Sequence, residues 1–344
     1  MTAAESSVLG FAKQTAKGTP NTTDSDFTYV LFNQGVASPQ NIILPLDQEV
    51  GGGAMLRDVT KVGVMSQGAL DFIPRPNSLG MFLFAILGED TSTPGSGASY
   101  SHALELPTDQ FDAPYYTVRS APAYLHGEQH QDARVNSLAL TFRGSNFLRG
   151  SLGYVGGLPA KVATTTWAPS TYLDSGPQIL SPIATIQVPD GTDIAVISGS
   201  FVAGAVIPLD EQWVVGSYSP DAFDINQKAF AFQFNVKISD SALYSKVTYD
   251  PAAGNAWVAD MLKEADIVFT MASNVEAEAG VPHSITIEAN GDTQASGTAN
   301  IAWSATPLGL RAGRQVVMSL TGTFLADSTG APITVTVVNT EAAY

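Results

Sequence analysis

Gln227-Lys228-Ala229-Phe230-Ala231-Phe232-Gln233-Phe234-Asn235-Val236-Lys237-Ile238 decides the fold class. Phe230, Phe232, Phe234, Val236 and Ile238 fall on one side of an extended chain, and Ala231, Gln233, Asn235 and Lys237 on the other. A period of two with bulky apolar residues on one side marks a strand that buries one face. The pattern recurs at Leu138, Leu140 and Phe142, which alternate with Ala139, Thr141 and Arg143. It recurs again at Ile285 and Ile287, at Val316, Met318, Leu320 and Phe324, and at Ile333, Val335 and Val337. The chain is therefore expected to be mainly β.

Two segments have helical spacing instead. Leu79, Phe82, Leu83, Ile86 and Leu87 form one apolar stripe, with Asn77 or Ser78 placed to cap its start and Gly88 its end. Trp257, Val258, Met261, Leu262 and Ala265 form a second stripe, preceded by Asp250-Pro251.

The two halves read as distant copies. Pro45-Leu46-Asp47-Gln48 follows one apolar run and Pro208-Leu209-Asp210-Glu211 another. Each is followed by a polar loop, a strand led by a lysine (Lys61, Lys228), a helix and further strands. This gives a polar segment over 1–26, a first domain over 27–158, a linker rich in Pro and Gly over 159–182, and a second domain over 183–344. Each domain is expected to be mainly β with one short helix.

Only 14 % of the residues are charged, well below the roughly 25 % usual for soluble domains, which fits a subunit that hides surface in an assembly. The net charge is −16, a poor basis for gripping phosphate, because nucleic-acid affinity comes from Lys and Arg releasing counterions. Residues 166–344 hold 18 acids and 6 bases, so most of the excess lies in the second half. The absence of cysteine excludes disulfides, thiolate metal sites and cysteine nucleophiles. No cofactor, metal or membrane partner is expected: the longest apolar run, Met81 to Leu87, is far short of a bilayer span. With no signal-peptide pattern at the N-terminus, the expected place of synthesis is a cytoplasm.

Enzyme motifs are absent or broken. His126-Gly127-Glu128-Gln129-His130 displaces the glutamate of a His-Glu-x-x-His helix by one position and reads as a polar loop. Gly51-Gly52-Gly53 lacks the Lys-Ser/Thr of a phosphate loop. Asp190-Gly191-Thr192-Asp193 and Asp221-Ala222-Phe223-Asp224 lack the alternating ligands of a calcium loop. Trp167, Trp213, Trp257 and Trp303 are scattered, as core or interface residues are, rather than gathered as a sugar platform.

Gly10-Phe11-Ala12-Lys13-Gln14-Thr15-Ala16-Lys17-Gly18-Thr19-Pro20 resembles the N-terminal arm of major tail tube proteins of long-tailed, siphovirus-type bacteriophages. Asp71-Phe72-Ile73-Pro74 through Asn77-Ser78-Leu79-Gly80-Met81 to Ile86-Leu87-Gly88 is similar to the strand and short helix of that family. The resemblance implies that each domain is a β-sandwich or curled sheet with one short flanking helix, and that copies form a ring whose inner sheets make one β-barrel lumen, with rings stacked through long loops and a terminal arm. A duplicated chain would need three copies for a pseudo-sixfold ring. By position, Asp47, Gly51, Gly52, Gly53, Arg57, Asp210, Glu211, Trp213 and Asp221 would serve stacking, and Phe11, Lys13, Gln14, Lys17 and Pro20 the arm. The implied partners are the chain itself, a tape-measure protein, tail tip and terminator proteins, and double-stranded DNA in passage without specific binding. The implied place is the virion tail. An acidic wall free of Lys and Arg rows would repel the DNA phosphates. The second half could instead be an added immunoglobulin-like domain. Competing readings are a capsid or decoration protein, a carbohydrate-binding β-sandwich module, and a hydrolase on a β-scaffold.

Overall fold

The computed structural model describes residues 7–46, 58–121, 126–164, 167–174, 176–187, 193–238, 267–289, 301–305, 308–309, 316–325 and 333–344. The second helical stripe lies outside the described residues, as do Asp47, Gly51, Gly52, Gly53 and Arg57.

The strands in chain order are β1 (Val8–Lys13), β2 (Thr28–Tyr29), β3 (Phe32–Pro45), β4 (Val59–Phe72), β5 (Glu89–Pro94), β6 (Tyr100–Glu105), β7 (Tyr116–Ala121), β8 (Gly127–Arg143), β9 (Arg149–Gly156) and β10 (Pro159–Val162). They continue with β11 (Leu180–Gln187), β12 (Val196–Val206), β13 (Gln227–Lys237), β14 (Val268–Glu278), β15 (Val281–Ala289), β16 (Ile301–Ala305), β17 (Leu308–Gly309), β18 (Val317–Phe324) and β19 (Ile333–Asn339). Among the described residues one α-helix, α1, spans Pro76–Leu87.

The alternating segments are strands with one buried face, as expected. Phe230, Phe232, Phe234 and Val236 are all buried, as are Leu138, Leu140 and Phe142. A long antiparallel sheet runs β3-β4-β9-β8-β12-β13-β18-β16. Within it the halves follow one order: a hairpin (β3-β4, β12-β13), then a later strand (β9, β18), then a strand that precedes it in the chain (β8, β16). The halves meet where β8 pairs with β12, from Ser198 opposite Arg143 to Gly204 opposite Ser137. The N-terminal part of β8 bends away to pair with β7 and β10, and β1 and β2 extend that side.

The other sheet runs β11-β14-β15-β19-β6-β5. Strands of the first half thus complete a sheet of the second, through β6 on β19. One core is shared: Leu140, Phe201 and Phe234 pack in the same cluster as Leu104, Ile285 and Val335. The segment expected as linker is itself docked. Asp174 N donates to Tyr29 O (2.8 Å), and Arg75 Nε donates to Gly176 O (2.9 Å).

α1 differs from the expected amphipathic helix. Every residue but Asn77 is buried, and it touches β8 and β12 on one side and β6, β15 and β19 on the other. A helix apolar all round belongs between two layers rather than on a flank. Its start is not capped by Asn77 or Ser78. Arg75 holds the N-cap position, Pro76 opens the first turn, and the Asp174 carboxylate accepts from Ser78 N at 2.9 Å. Asp174 thereby places a negative charge at the positive end of the helix dipole. The C-terminus follows expectation: Gly88 has φ 109° and its N–H donates to Phe84 O, a conformation that glycine adopts without a Cβ clash.

Candidate functional site

The surfaces available for assembly are the two ends of the long sheet's strand order, the tips of its hairpins, and its open face. At one end β3 pairs only with β4, and at the other β16 pairs only with β18, among the described residues. An unpaired edge is a template for another strand. β3 is the longer, and Ile43 and Leu44 on it are more than half exposed.

The β3–β4 and β12–β13 hairpins point the same way, and their tips are apolar. Leu46 and Val59 are exposed on one, and Val206, Val214, Val215 and Tyr218 on the other. The second connection folds back over the first half. Val64 N donates to Tyr218 O (2.7 Å), and the Trp213 ring covers Gly63, where a Cβ would stand 2.6 Å from the ring. Trp213 is thus half-buried in its own chain. Asp210, Glu211 and Asp221 remain exposed around it.

The segment expected as an arm is mostly built into the body. β1 lies between β7 and β2. Phe11 is buried edge-on to Phe82 (5.1 Å) and Tyr154 (5.8 Å). Gln14 is buried and shares a hydrogen bond with the Thr117 hydroxyl (3.0 Å). Lys13 Nζ lies over the Phe84 ring (4.4 Å) and donates to Tyr344 O (3.1 Å). Burial lowers its pKa, against an opposing pull from Asp90. Asp24 fastens the next turn. Its carboxylate accepts from Arg119 Nη1 (2.8 Å), Tyr29 OH (2.8 Å) and Ala168 N (2.7 Å), while Arg119 sits over Phe27 and Trp167. Of the expected arm contacts, Lys17 is at the surface and Pro20 is half-buried. Lys17 Nζ reaches Asp221 Oδ2 at 3.4 Å within the same chain, so the structure brings one arm residue and one loop residue together. Sequence reading missed the inward docking because β1 is covered on both faces and shows no alternation.

The open face of the long sheet carries the residues that alternate with the core. Among the described residues it presents one carboxylate, Asp71, against Arg143, Arg149 and Lys237 in β4, β9, β8, β12, β13 and β18. Other described acids lie off this face, as with Asp90, which pairs with buried His102 (3.0 Å).

Of the histidine pair, His130 lies on a strand rather than in a loop, and His126 just precedes that strand. His130 is buried on β8, within 3.3 Å of the Ser120 hydroxyl, and desolvation lowers its pKa, with Glu128 opposing. His126 pairs with Glu128 at the surface (3.1 Å). A cleft of about 530 Å³ at the root of β3 has Tyr29 as its one ionisable side chain. Burial first, with Asp24 adding and Arg119 opposing, raises that phenol to about 12.

A family model described as phage tail tube protein matches residues 4–305. No curated protein matches the chain.

Proposed function

The chain belongs to the phage tail tube protein family, and from that premise we propose that copies of it join edge to edge into rings that stack as the tube of a long-tailed phage, the conduit for DNA ejection. It is a structural protein of the phage tail, and the sheet supports the finer assembly. The observation that carries it is the repeated strand order. The first half ends in β8, which pairs with β12, the opening strand of the second half. The second half ends in β16, which stands in the position of β8, and the first opens with β3, which stands in the position of β12. Pairing β16 of one copy with β3 of the next repeats the internal seam between chains. Three copies then close a pseudo-sixfold barrel, and closure removes both exposed edges.

Stacking is assigned to the hairpin tips, with the apolar side chains of Leu46, Val59, Val214, Val215 and Tyr218 meeting the next ring. Asp47, Gly51, Gly52, Gly53 and Arg57 belong to the first connection, and Asp210, Glu211, Trp213 and Asp221 to the second. Tape-measure, tip and terminator proteins are proposed at the tube's interior and ends. The test is negative-stain electron microscopy of purified protein over a range of concentrations. Hollow tubes of one width are expected. A single-chain species at every concentration would refute the reading.

A further inference from the structure

Given the reading of the open sheet face as the tube's lumen, we infer that Arg143, Arg149 and Lys237 form a basic band that touches the phosphates of a passing DNA duplex once per ring, on a wall otherwise nearly free of charge. Burial fixes which side is open: Leu138, Leu140, Leu152, Phe201, Phe232 and Leu320 all turn to the core. The side chains between them turn outward. The whole chain has 32 acids against 16 bases, yet among the described residues three bases stand here against Asp71 alone, and all four are exposed. The local balance is the reverse of the global one.

The register gathers these charges at the end of the sheet opposite the hairpin tips. Arg149 lies opposite Thr141, and Arg143 follows two residues on. Ser198 lies opposite Arg143, and Asn235 opposite Ser198, with Lys237 two residues beyond. Asp71 lies opposite Ser151, two residues from Arg149. No ion pair joins the three bases to another described residue. The outward residues beside the band, Thr141 and Ser151, and those farther from it, such as Ser137, Ser200, Val202, Gln233 and Thr321, are neutral.

Screening makes this local balance matter. Charges act over about 8 Å at physiological salt, so the acids on the outside of a tube do not reach its axis, whereas side chains on the wall do. A duplex carries one charge per roughly 1.7 Å. Three cations per chain at one level can centre it without gripping it along its length, and such phosphate contacts permit sliding. The guanidinium forks of Arg143 and Arg149 match phosphate geometry.

The experiment uses full-length protein assembled into tubes. Because the chain lacks cysteine, Thr141→Cys introduces a single thiol. In tubes, N-ethylmaleimide should label it while a polyethylene-glycol maleimide should not; both should label unassembled chain. Equal labelling by both reagents in tubes would place this face outside and overturn the inference while leaving the tube itself standing. Absence of tubes would instead refute the assembly reading. Retention of a short fluorescent DNA duplex by sedimented tubes then tests the band. Wild-type retention should fall steeply with salt, and the triple variant Arg143→Gln, Arg149→Gln, Lys237→Gln should retain about tenfold less at low salt. Should that variant not assemble, the single changes Arg143→Gln and Arg149→Gln should each lower retention about twofold. Unchanged retention in tube-forming variants would overturn the inference. Complete displacement of the duplex by poly-glutamate at equal charge would assign the band to an acidic polypeptide and also overturn it.

Discussion

Inside the long sheet, β8 and β12 meet along a continuous antiparallel register, with Leu138, Leu140, Phe201 and Ala203 buried beneath them. At the ends of the same run, β3 and β16 each have a partner on one side only. The seam and the edges are built from equivalent positions in the two halves, yet their sequences differ. The middle of the seam strand β12 is anchored by buried Phe201 and has no proline, whereas the middle of β3 runs Gly35-Val36-Ala37-Ser38-Pro39-Gln40-Asn41. Pro39 and the small polar residues around it weaken an edge that, in the proposed ring, stays single until its partner arrives. The difference separates what folds one chain from what joins two.

Breaking the seam should do most damage. Phe201→Ala removes a fully buried ring and should cost about 3–5 kcal/mol in chemical denaturation, lowering folded yield before assembly can be assayed. At the edge the outcome should depend on direction. Neighbouring residues of β3 point their N–H groups alternately at β4 and outward. Of Gln40→Pro and Asn41→Pro, one should lose a ladder bond and stability, while the other should fold normally and form no rings by electron microscopy. If both variants form tubes, β3 is not the joining edge.

Two smaller effects sharpen the comparison at contacts between the halves. Gly63→Val should displace the Trp213 ring and cost about 1–3 kcal/mol by overpacking, read as a lower unfolding midpoint and altered tryptophan fluorescence. Lys228, on β13, donates to Leu87 O (2.9 Å) and Asp112 O (2.6 Å), and so ties the second half to the end of α1. Burial, aided by Arg134, lowers its pKa from the usual 10.5 to about 8. A lysine that sheds its proton earlier in the folded state binds fewer protons there than unfolded. Stability should therefore rise with pH between about 8 and 9.5. Lys228→Met should flatten that slope of melting temperature against pH. An unchanged slope would remove Lys228 as its source.

How much of this was legible follows from how many faces of an element are covered. β8, β13, β15, β18 and β19 each bury one face, so their sequences alternate and their placement could be read. β1 and α1 are covered all round. Val8-Leu9-Gly10-Phe11-Ala12 has no period, and the helix looked like a surface stripe only because Met81, Phe84 and Ala85 fell off it. The pairing of β6 with β19 depends on residues more than two hundred positions apart, which no local pattern encodes. Among the candidate site residues, the exposure of Asp210, Glu211 and Asp221 suits a loop, and the docking of Trp213 on Gly63 needed coordinates. Arg143 and Lys237 already stood on the polar side of their alternating runs. Their convergence with Arg149 appears only once the register joins the strands.

The pairing of β6 with β19 also sets a timetable. A hairpin made by residue 105 waits for a strand that begins at residue 333. At 5–20 residues per second, that interval on the ribosome is roughly ten to fifty seconds. Throughout it the outer strand of the early hairpin has no neighbour, and the apolar helix beside it has only half its cover. Newborn chains are thus most vulnerable to sticking to one another midway through translation, and slowing synthesis late in the message should harm yield more than slowing it early.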